Sequence, residues 1–347
     1  MTRQAWMSGR TARALALPAT LFALGLAAFL VLDAWIERWA QTPVDLPDAV
    51  LLDIPNGATF AEVADTMREL SITDATTRLA LRARQRGLIE AIRRGEYRIA
   101  PGITPDGLLD LISQGQVVQH HVRIEEGETV ATLLCRLQAD ERLDFDLANS
   151  APQSLADNLG IASPRNPALE GRFFPDTYQF DRGHRVSELL GRALRQMDTV
   201  LDEAWAGRAK ELPYETPEDA LVLASLVEKE TGRASERARI AGVFVRRLER
   251  RMRLQSDPTV IYGLGDAFDG NLTRVHLDAD GPYNTYRRYG LPPTPIALPS
   301  RDSIHAALNP EIGNALYFVA RGDGSSEFSA TLEQHNRAVR RFQLGGS

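Results

Sequence analysis

Residues 14–32 carry no charge, are almost all apolar, and end at Asp33. At 1.5 Å per residue these nineteen positions make a helix of about 28 Å. The hydrocarbon core of a bilayer is about 30 Å thick. No later run approaches that length without a charge, so this segment constrains the chain more than any other. Arg3, Arg10 and Arg13 precede it with no acid among them, and only Arg38 follows it closely. That bias predicts a cytoplasmic N-terminus and export of everything after the run. Trp35 and Trp39 fall at interface depth, and Pro18 is tolerable in a membrane helix. A cleaved signal peptide is the competing reading. It needs an apolar core of about 7–15 residues and a small-x-small cleavage site. This run is longer, and Leu32-Asp-Ala-Trp35 is a poor site. The expectation is a cytoplasmic tail over 1–13, a transmembrane helix over 14–35 and a tether over 36–50, where Pro43 and Pro47 interrupt any periodicity.

From 51 to 140 one pattern recurs: an apolar strand, Gly-x-Thr, then an amphipathic helix. It occurs at Gly57-Ala-Thr59 before Val63, Ala64 and Met67, at Gly102-Ile-Thr104 before Leu108, Leu109 and Ile112, and at Gly127-Glu-Thr129 before Leu133, Leu134 and Leu137. Glycine permits the turn and threonine can cap the helix. Residues 141–347 then form a second, larger domain, consistent with a length of 347 and about 150 residues per domain. A formal net charge of −6 gives no reason to expect nucleic acid as a partner. Cys135 is the only cysteine, so no intramolecular disulfide can form, and its place after Gly127 suggests a buried structural thiol.

Thr216, Pro217, Glu218 and Asp219 read as the start of a helix, with Gly232 as its stop. On that helix Glu230 extends a stripe made by Leu223, Leu226 and Val227, at i−7, i−4 and i−3. Glu228 lies about 200° round the helix, beside Leu221, Ala224 and Ser225. A carboxyl on an apolar stripe costs free energy unless it is paired or holds its proton, and a held proton is what a general acid needs. The plainer reading is that Glu230 sits near a helix end and reaches water. Downstream, residues 237–252 read as a helix whose second half carries Arg246, Arg247, Arg250 and Arg251, a solvated basic end. Residues 266–316 are rich in glycine and proline and read as loops; 316–320 read as a strand and 332–342 as a closing helix. There is no His-Glu-x-x-His, no Gly-x-Ser-x-Gly and no P-loop, and the histidines show no metal-like spacing beyond the adjacent His120 and His121. No metal or cofactor is implied.

Glu170-Gly-Arg-Phe-Phe-Pro-Asp-Thr-Tyr178, Glu228-Lys-Glu-Thr231, Gln255-Ser-Asp-Pro-Thr-Val-Ile-Tyr262, Tyr283-Asn-Thr-Tyr286, Gly290-Leu-Pro-Pro-Thr-Pro-Ile296, Tyr317-Phe-Val-Ala-Arg-Gly and Glu333-Gln-His-Asn336 follow one another in this order. Together they closely resemble the YceG-like (MltG) family of endolytic murein transglycosylases, from about residue 51 to the C-terminus. The resemblance implies an α+β protein with an N-terminal transmembrane helix, a small LysM-like α+β domain and a larger α+β catalytic domain. A spacer without glycan affinity is the alternative for the LysM-like region. It implies a single-pass inner-membrane enzyme whose catalytic domain is periplasmic and cuts nascent peptidoglycan glycan strands, with peptidoglycan synthases as further partners. The family's catalytic acid carries over to Glu230, with Glu228 as second choice. Gln255, Asp257, Tyr262, Tyr283, Asn284 and Tyr286 are candidate substrate-binding residues, although Asp257 can alternatively brace a loop. One acid suffices for a lytic transglycosylase, which leaves a 1,6-anhydro-MurNAc end. A non-catalytic glycan-binding scaffold and a lysozyme-type hydrolase are the alternatives. The chain departs from the family at Pro295-Ile-Ala-Leu-Pro-Ser300, where many members read Pro-Ile-x-Asn-Pro-Gly.

Overall fold

The computed structural model describes residues 8–148 and 151–344, with the side chains of 20–148 and 151–343. Contacts divide the chain into two compact units, Met1–His120 and His121–Ser347.

The first unit begins with α1 (Ser8–Ala40). Residues 1–7 of the expected cytoplasmic tail lie outside the described residues. The segment Thr20–Ala40, with a mean hydropathy of 1.8, is long and apolar enough to cross a membrane. Leu21, Phe22, Phe29 and Leu32 stand exposed along it. The helix does not give way to a free tether at residue 36. Ile36 and Ala40 are completely buried, Leu46 is buried, and Trp39 and Val44 pack on the same core. The spacing of Ile36, Trp39 and Ala40, i, i+3 and i+4, puts three apolar side chains on one face, and that face is used. The Arg78 guanidinium lies 5.2 Å from the Trp35 ring and 5.3 Å from that of Trp39. Gln41 donates to Asp106 at 2.8 Å, and the Arg82 fork beside Asp106 holds that carboxyl below its usual range.

Strand β1 (Val50–Ile54) pairs antiparallel with β2 (Gly95–Ile99), Leu52 opposite Tyr97. Helices α2 (Phe60–Glu69) and α3 (Thr76–Gln85) lie between them in sequence, and α4 (Pro105–Gln114) follows. Leu52, Met67, Leu79, Tyr97 and Leu108 form the core. Thr59 and Thr104 cap α2 and α4, accepting from the N–H groups of Glu62 and Gly107.

β3 (Gln119–Arg123) leads into the second unit, where it pairs with the strand Thr177–Asp181. α5 (Val130–Ala139) has its own threonine cap, Thr129. The third strand–turn–helix therefore has the expected local form, but its apolar residues Leu133, Leu134 and Leu137 pack with Phe173, Phe180 and Leu189, so contacts divide the chain before it rather than after residue 140. Cys135, expected to be buried, is exposed. The buried face is set by Val130, Leu133, Leu134 and Leu137, and residue 135 is off it. Next come β4 (Leu143–Asp144), α6 (Leu155–Asn158), β5 (Thr177–Asp181), β6 (His184–Arg185), parallel to β4, and α7 (Val186–Ala206). Phe173 and Phe174 are core residues, and Tyr178 is buried with its hydroxyl on the Phe174 carbonyl.

α8 (Pro217–Glu230), α9 (Ala234–Glu249), α10 (Asp257–Leu264), α11 (Arg274–Asp278) and α12 (Arg301–Leu308) build the other half of this unit. α12 lies inside the stretch expected to be loops. Its cap, Ser300, follows a proline-rich run that hides the short apolar repeat Ile304, Ala307, Leu308, all buried against the α8 and α9 core. The hairpin of β7 (Tyr317–Ala320) and β8 (Ser326–Ser329) and the helix α13 (Leu332–Val339) close the unit. The expected basic end of α9 is in part not solvated. Arg247 is buried, donating to the carbonyls of Leu316 and Leu254 at 2.7 Å, and Arg246 donates to those of Ala315 and Glu311.

Candidate active site

α8 starts as its sequence suggests: Thr216 accepts from the Asp219 N–H at 3.2 Å and proline opens the first turn. It ends one residue before Thr231, which has extended backbone. Every residue from Ala220 to Val227 is buried, so the helix is a core element with no solvent face through its middle. Both candidate acids stand in its last turn, where the core gives way.

They meet different surroundings. Glu228 is turned into a bracket of partners. One oxygen accepts from Arg237 at 3.3 Å; the other accepts the Ser300 N–H at 2.9 Å and the Ser300 hydroxyl. Its side chain is 6% exposed. Ser300 thus caps α12 and holds Glu228 with one residue, and its hydroxyl is what a glycine there would lack. Leu298, in the same departing segment, is fully buried, and its N–H and carbonyl bond the Glu128 carbonyl and the Gly127 N–H.

Glu230 faces a cavity of about 580 Å³, whose walls include Gln255, Asp257, Tyr286, Tyr317 and His335. Its carboxyl accepts one hydrogen bond from a side chain, the Ser256 hydroxyl, at 2.5 Å. Burial pushes the Glu230 carboxyl up to about 7; Asp257 adds to the rise, while Ser256 and Arg247 oppose it. A group balanced there can hold a proton near neutral pH and release it at small cost.

Ser256 escapes a reading of the sequence. Ser-Asp-Pro at the head of α10 looks like a helix cap, and Ser256 does occupy the cap position. Yet it makes no side-chain cap bond, and its hydroxyl is turned to Glu230 instead. Its backbone is fixed instead: the Ser256 N–H donates to the Thr285 hydroxyl at 3.0 Å, the Thr259 hydroxyl donates to the Ser256 carbonyl at 2.7 Å, and the two threonine hydroxyls meet at 2.9 Å. Gln255 is held by its N–H on the Thr285 carbonyl, with φ at +51°, a conformation costly to residues other than glycine. Asp257 accepts from the Tyr286 hydroxyl at 2.6 Å.

The structure therefore gathers Glu230, Gln255, Asp257 and Tyr286 on one cavity and leaves the other candidates off it. The Tyr262 hydroxyl donates to Glu170 at 3.1 Å, and the Tyr283 hydroxyl meets Thr294 at 2.7 Å. The Tyr262 and Tyr283 rings pack edge to face, 4.9 Å between centroids. Asn284 uses its amide on the carbonyls of His276, Leu277 and Ala279, which shapes its own loop.

Residues 52–341 match the model of the YceG-like family. The endolytic murein transglycosylase of Bacillus subtilis is 28% identical over 324 residues, covering 88% of this chain and 87% of that protein. The endolytic murein transglycosylase of Streptococcus pneumoniae serotype 2 is 28% identical over 322 residues, covering 84% of this chain and 58% of that longer protein. A crystal structure of a YceG-like protein from Listeria monocytogenes is similar with a TM-score of 0.55 and 26% identity, covering 84% of this chain and 99% of that one.

Proposed function

This chain belongs to the YceG-like family, and from that premise we propose that it is a membrane-anchored peptidoglycan lytic transglycosylase in which Glu230 serves first as acid and then as base. The observation that carries this reading is the setting of Glu230: a carboxyl pushed up to about 7, held by one hydroxyl, at the wall of a cavity large enough for sugar rings. The names of two relatives, endolytic murein transglycosylase, supply the substrate class.

In the proposed step the protonated Glu230 gives its proton to the glycosidic oxygen as the C1–O bond of the muramyl residue breaks. The C6 hydroxyl oxygen of the same residue closes on C1, and its proton passes to the Glu230 carboxylate, which returns the acid to its starting state. No water is consumed. An intramolecular hydroxyl acts at high effective molarity and needs no separate binding site. Among the described residues lining the cavity the other carboxyl is Asp257, and the Tyr286 hydroxyl already engages it. A hydrolase would need that second carboxyl to activate water.

On this reading α1 anchors the protein in the inner membrane with the second unit in the periplasm. Tethering confines the site to newly made strands. The β1-α2-α3-β2 arrangement of the first unit suits a LysM-like module, either holding glycan or acting as a spacer. Digestion of purified glycan strands in ¹⁸O-water tests the reaction. The expected products end in 1,6-anhydro muramyl residues without ¹⁸O; labelled reducing ends would establish hydrolysis and make Asp257 the next residue to change.

A further inference from the structure

The cavity has a second wall, supplied by the C-terminal hairpin and helix. Leu332, His335, Asn336 and Val339 line it from α13. Their spacing, i, i+3, i+4 and i+7, is that of one helix face, so the helix presents a whole face to the cavity rather than a single side chain. Ala338 is the residue of α13 that is buried in the protein; Leu332 is 55% exposed. The face combines apolar area with an amide, and Leu332 and Asn336 on it are exposed. It is also continuous with the cavity that Glu230 lines, so whatever enters that cavity meets both walls.

The wall is stiffened from below. The His335 ring lies on the Tyr317 ring, centroids 5.2 Å apart and planes 24° apart. The Arg247 guanidinium is 5.1 Å from the same tyrosine ring. Arg247 in turn is fixed to the carbonyls of Leu316 and Leu254, one at the head of β7 and the other just before Gln255 and Ser256. One buried arginine thus sets the spacing between the wall that bears Glu230's partner and the wall that bears His335. Burial and Arg247 hold the His335 imidazole below its usual range, which keeps it neutral. Its Nδ1 is shielded from solvent and has no hydrogen-bond partner among the described residues. A flat neutral ring pair beside an amide suits a pyranose with an acetamido group, whose ring face is apolar and whose substituent both donates and accepts.

We propose that the α13 face is a binding subsite for one N-acetylhexosamine ring of the strand, with the Tyr317–His335 pair as its platform and Asn336 reading its acetamido group. The proposal rests on the reading of the Glu230 cavity as a glycan site. His335 and Asn336 are positioning residues: they place the strand, and Glu230 does the chemistry.

The test uses peptide-free glycan strands and the full chain. In a Glu230→Gln parent, Asn336→Ala and His335→Ala are each expected to weaken strand binding about five- to tenfold, the loss of one hydrogen bond or ring contact, with thermal melting unchanged. His335→Phe keeps the platform and is expected to bind within about twofold of the parent. In the active protein the alanine variants raise KM more than they lower kcat. Binding of both alanine variants equal to the parent, while the wild type still cuts strands, overturns the subsite alone. A parent that binds no strand, together with a wild type that cuts none, overturns the glycan reading and the subsite with it.

Discussion

Two buried carboxyls in the second unit, Glu170 and Glu230, are both pushed up to about 7 by burial. Their surroundings differ. Glu170 is 2% exposed and enclosed by partners. It accepts the Val130 N–H at 3.0 Å, at the first turn of α5, and the Tyr262 hydroxyl at 3.1 Å. Asn166 clasps its backbone from both sides. The next residue, Gly171, has φ at +79° and lies so close to Pro295 that a Cβ would come within 2.5 Å of it. Glu230 has a single hydroxyl partner and an open cavity. A raised pKa therefore reports burial in both places, and only one of the two acids has room for a substrate beside it. Both acids grip the same short helix, Glu230 through Ser256 at the head of α10 and Glu170 through Tyr262 within it. One acid fixes the scaffold on which the other's partner stands.

The largest expected effect separates the two roles. Glu230→Gln removes the proton but keeps the shape, and strand cleavage is expected to fall by about 10²–10⁴-fold, the usual worth of a general acid. Glu170→Gln keeps an acceptor for the Val130 N–H and places an amide NH2 that can donate to the Tyr262 hydroxyl oxygen, and activity is expected to stay within a few-fold of wild type. Rates of release of soluble muropeptide or glycan product, with melting temperature alongside, decide it. If the losses are equal and the fold is intact, the comparison collapses, because Glu170 would then be doing chemistry or controlling Glu230.

The α8 start was legible because Thr216 and Pro217 are local signals, and the stripe of Leu223, Leu226 and Val227 correctly put Glu230 at the edge of a core. The three Gly-x-Thr units were legible for the same reason, since Thr59, Thr104 and Thr129 each cap the helix that follows. Tertiary assignments were not. Nothing local marks a serine whose hydroxyl reaches a distant carboxyl, so the sequence points to Gln255 and Asp257 and not to Ser256. Tyr262, Tyr283 and Asn284 looked like glycan contacts because amides and phenols suit sugars; in the fold they satisfy Glu170, Thr294 and loop carbonyls. Residues 36–50 read as a tether because Pro43 and Pro47 mask a packing face.

A smaller effect tests the shared feature of the two acids. Each carboxyl holds its proton more tightly when folded, at about 7, than at the ordinary value of 4.5. The folded state then binds more protons than the unfolded state between those values, so stability is highest at the acidic side and falls as pH rises from about 4.5 through 7. For Glu170 the fall is about 3 kcal/mol; for Glu230, which is partly exposed, it is smaller. Asp106, whose carboxyl is held low, works in the opposite sense and only at more acidic pH. Denaturant midpoints measured from pH 5 to 8 should therefore decline for the wild type and decline less for Glu170→Gln. At pH 8 the glutamine variant is expected to be at least as stable as the wild type. Parallel curves would mean that Glu170 is ionised throughout and that its partners, not its proton, hold the α5–α10 contact.

The smallest effect isolates the serine hydroxyl on Glu230, which can be removed without disturbing a backbone donor; Glu170 has the Tyr262 hydroxyl and the Val130 N–H together. The Ser256 hydroxyl donates to the Glu230 carboxyl and stabilises its ionised form, so it holds the acid below where burial alone would put it. Ser256→Ala takes that donor away, and Glu230 keeps its proton to higher pH. If Glu230 must be protonated to begin the reaction, cleavage in the wild type falls as pH rises through about 7, and in Ser256→Ala the descending limb moves upward by up to about one pH unit. At neutral pH the rate still drops a few-fold, because the carboxyl loses the contact that orients it. The two changes have opposite signs on the alkaline side, where the variant retains a larger share of its own maximum than the wild type. A purely structural role for Ser256 would lower the whole profile without moving the limb. The α10 cap gives little reason to expect that outcome: Ser256 makes no side-chain cap bond to lose, and its backbone is held by Thr259 and Thr285.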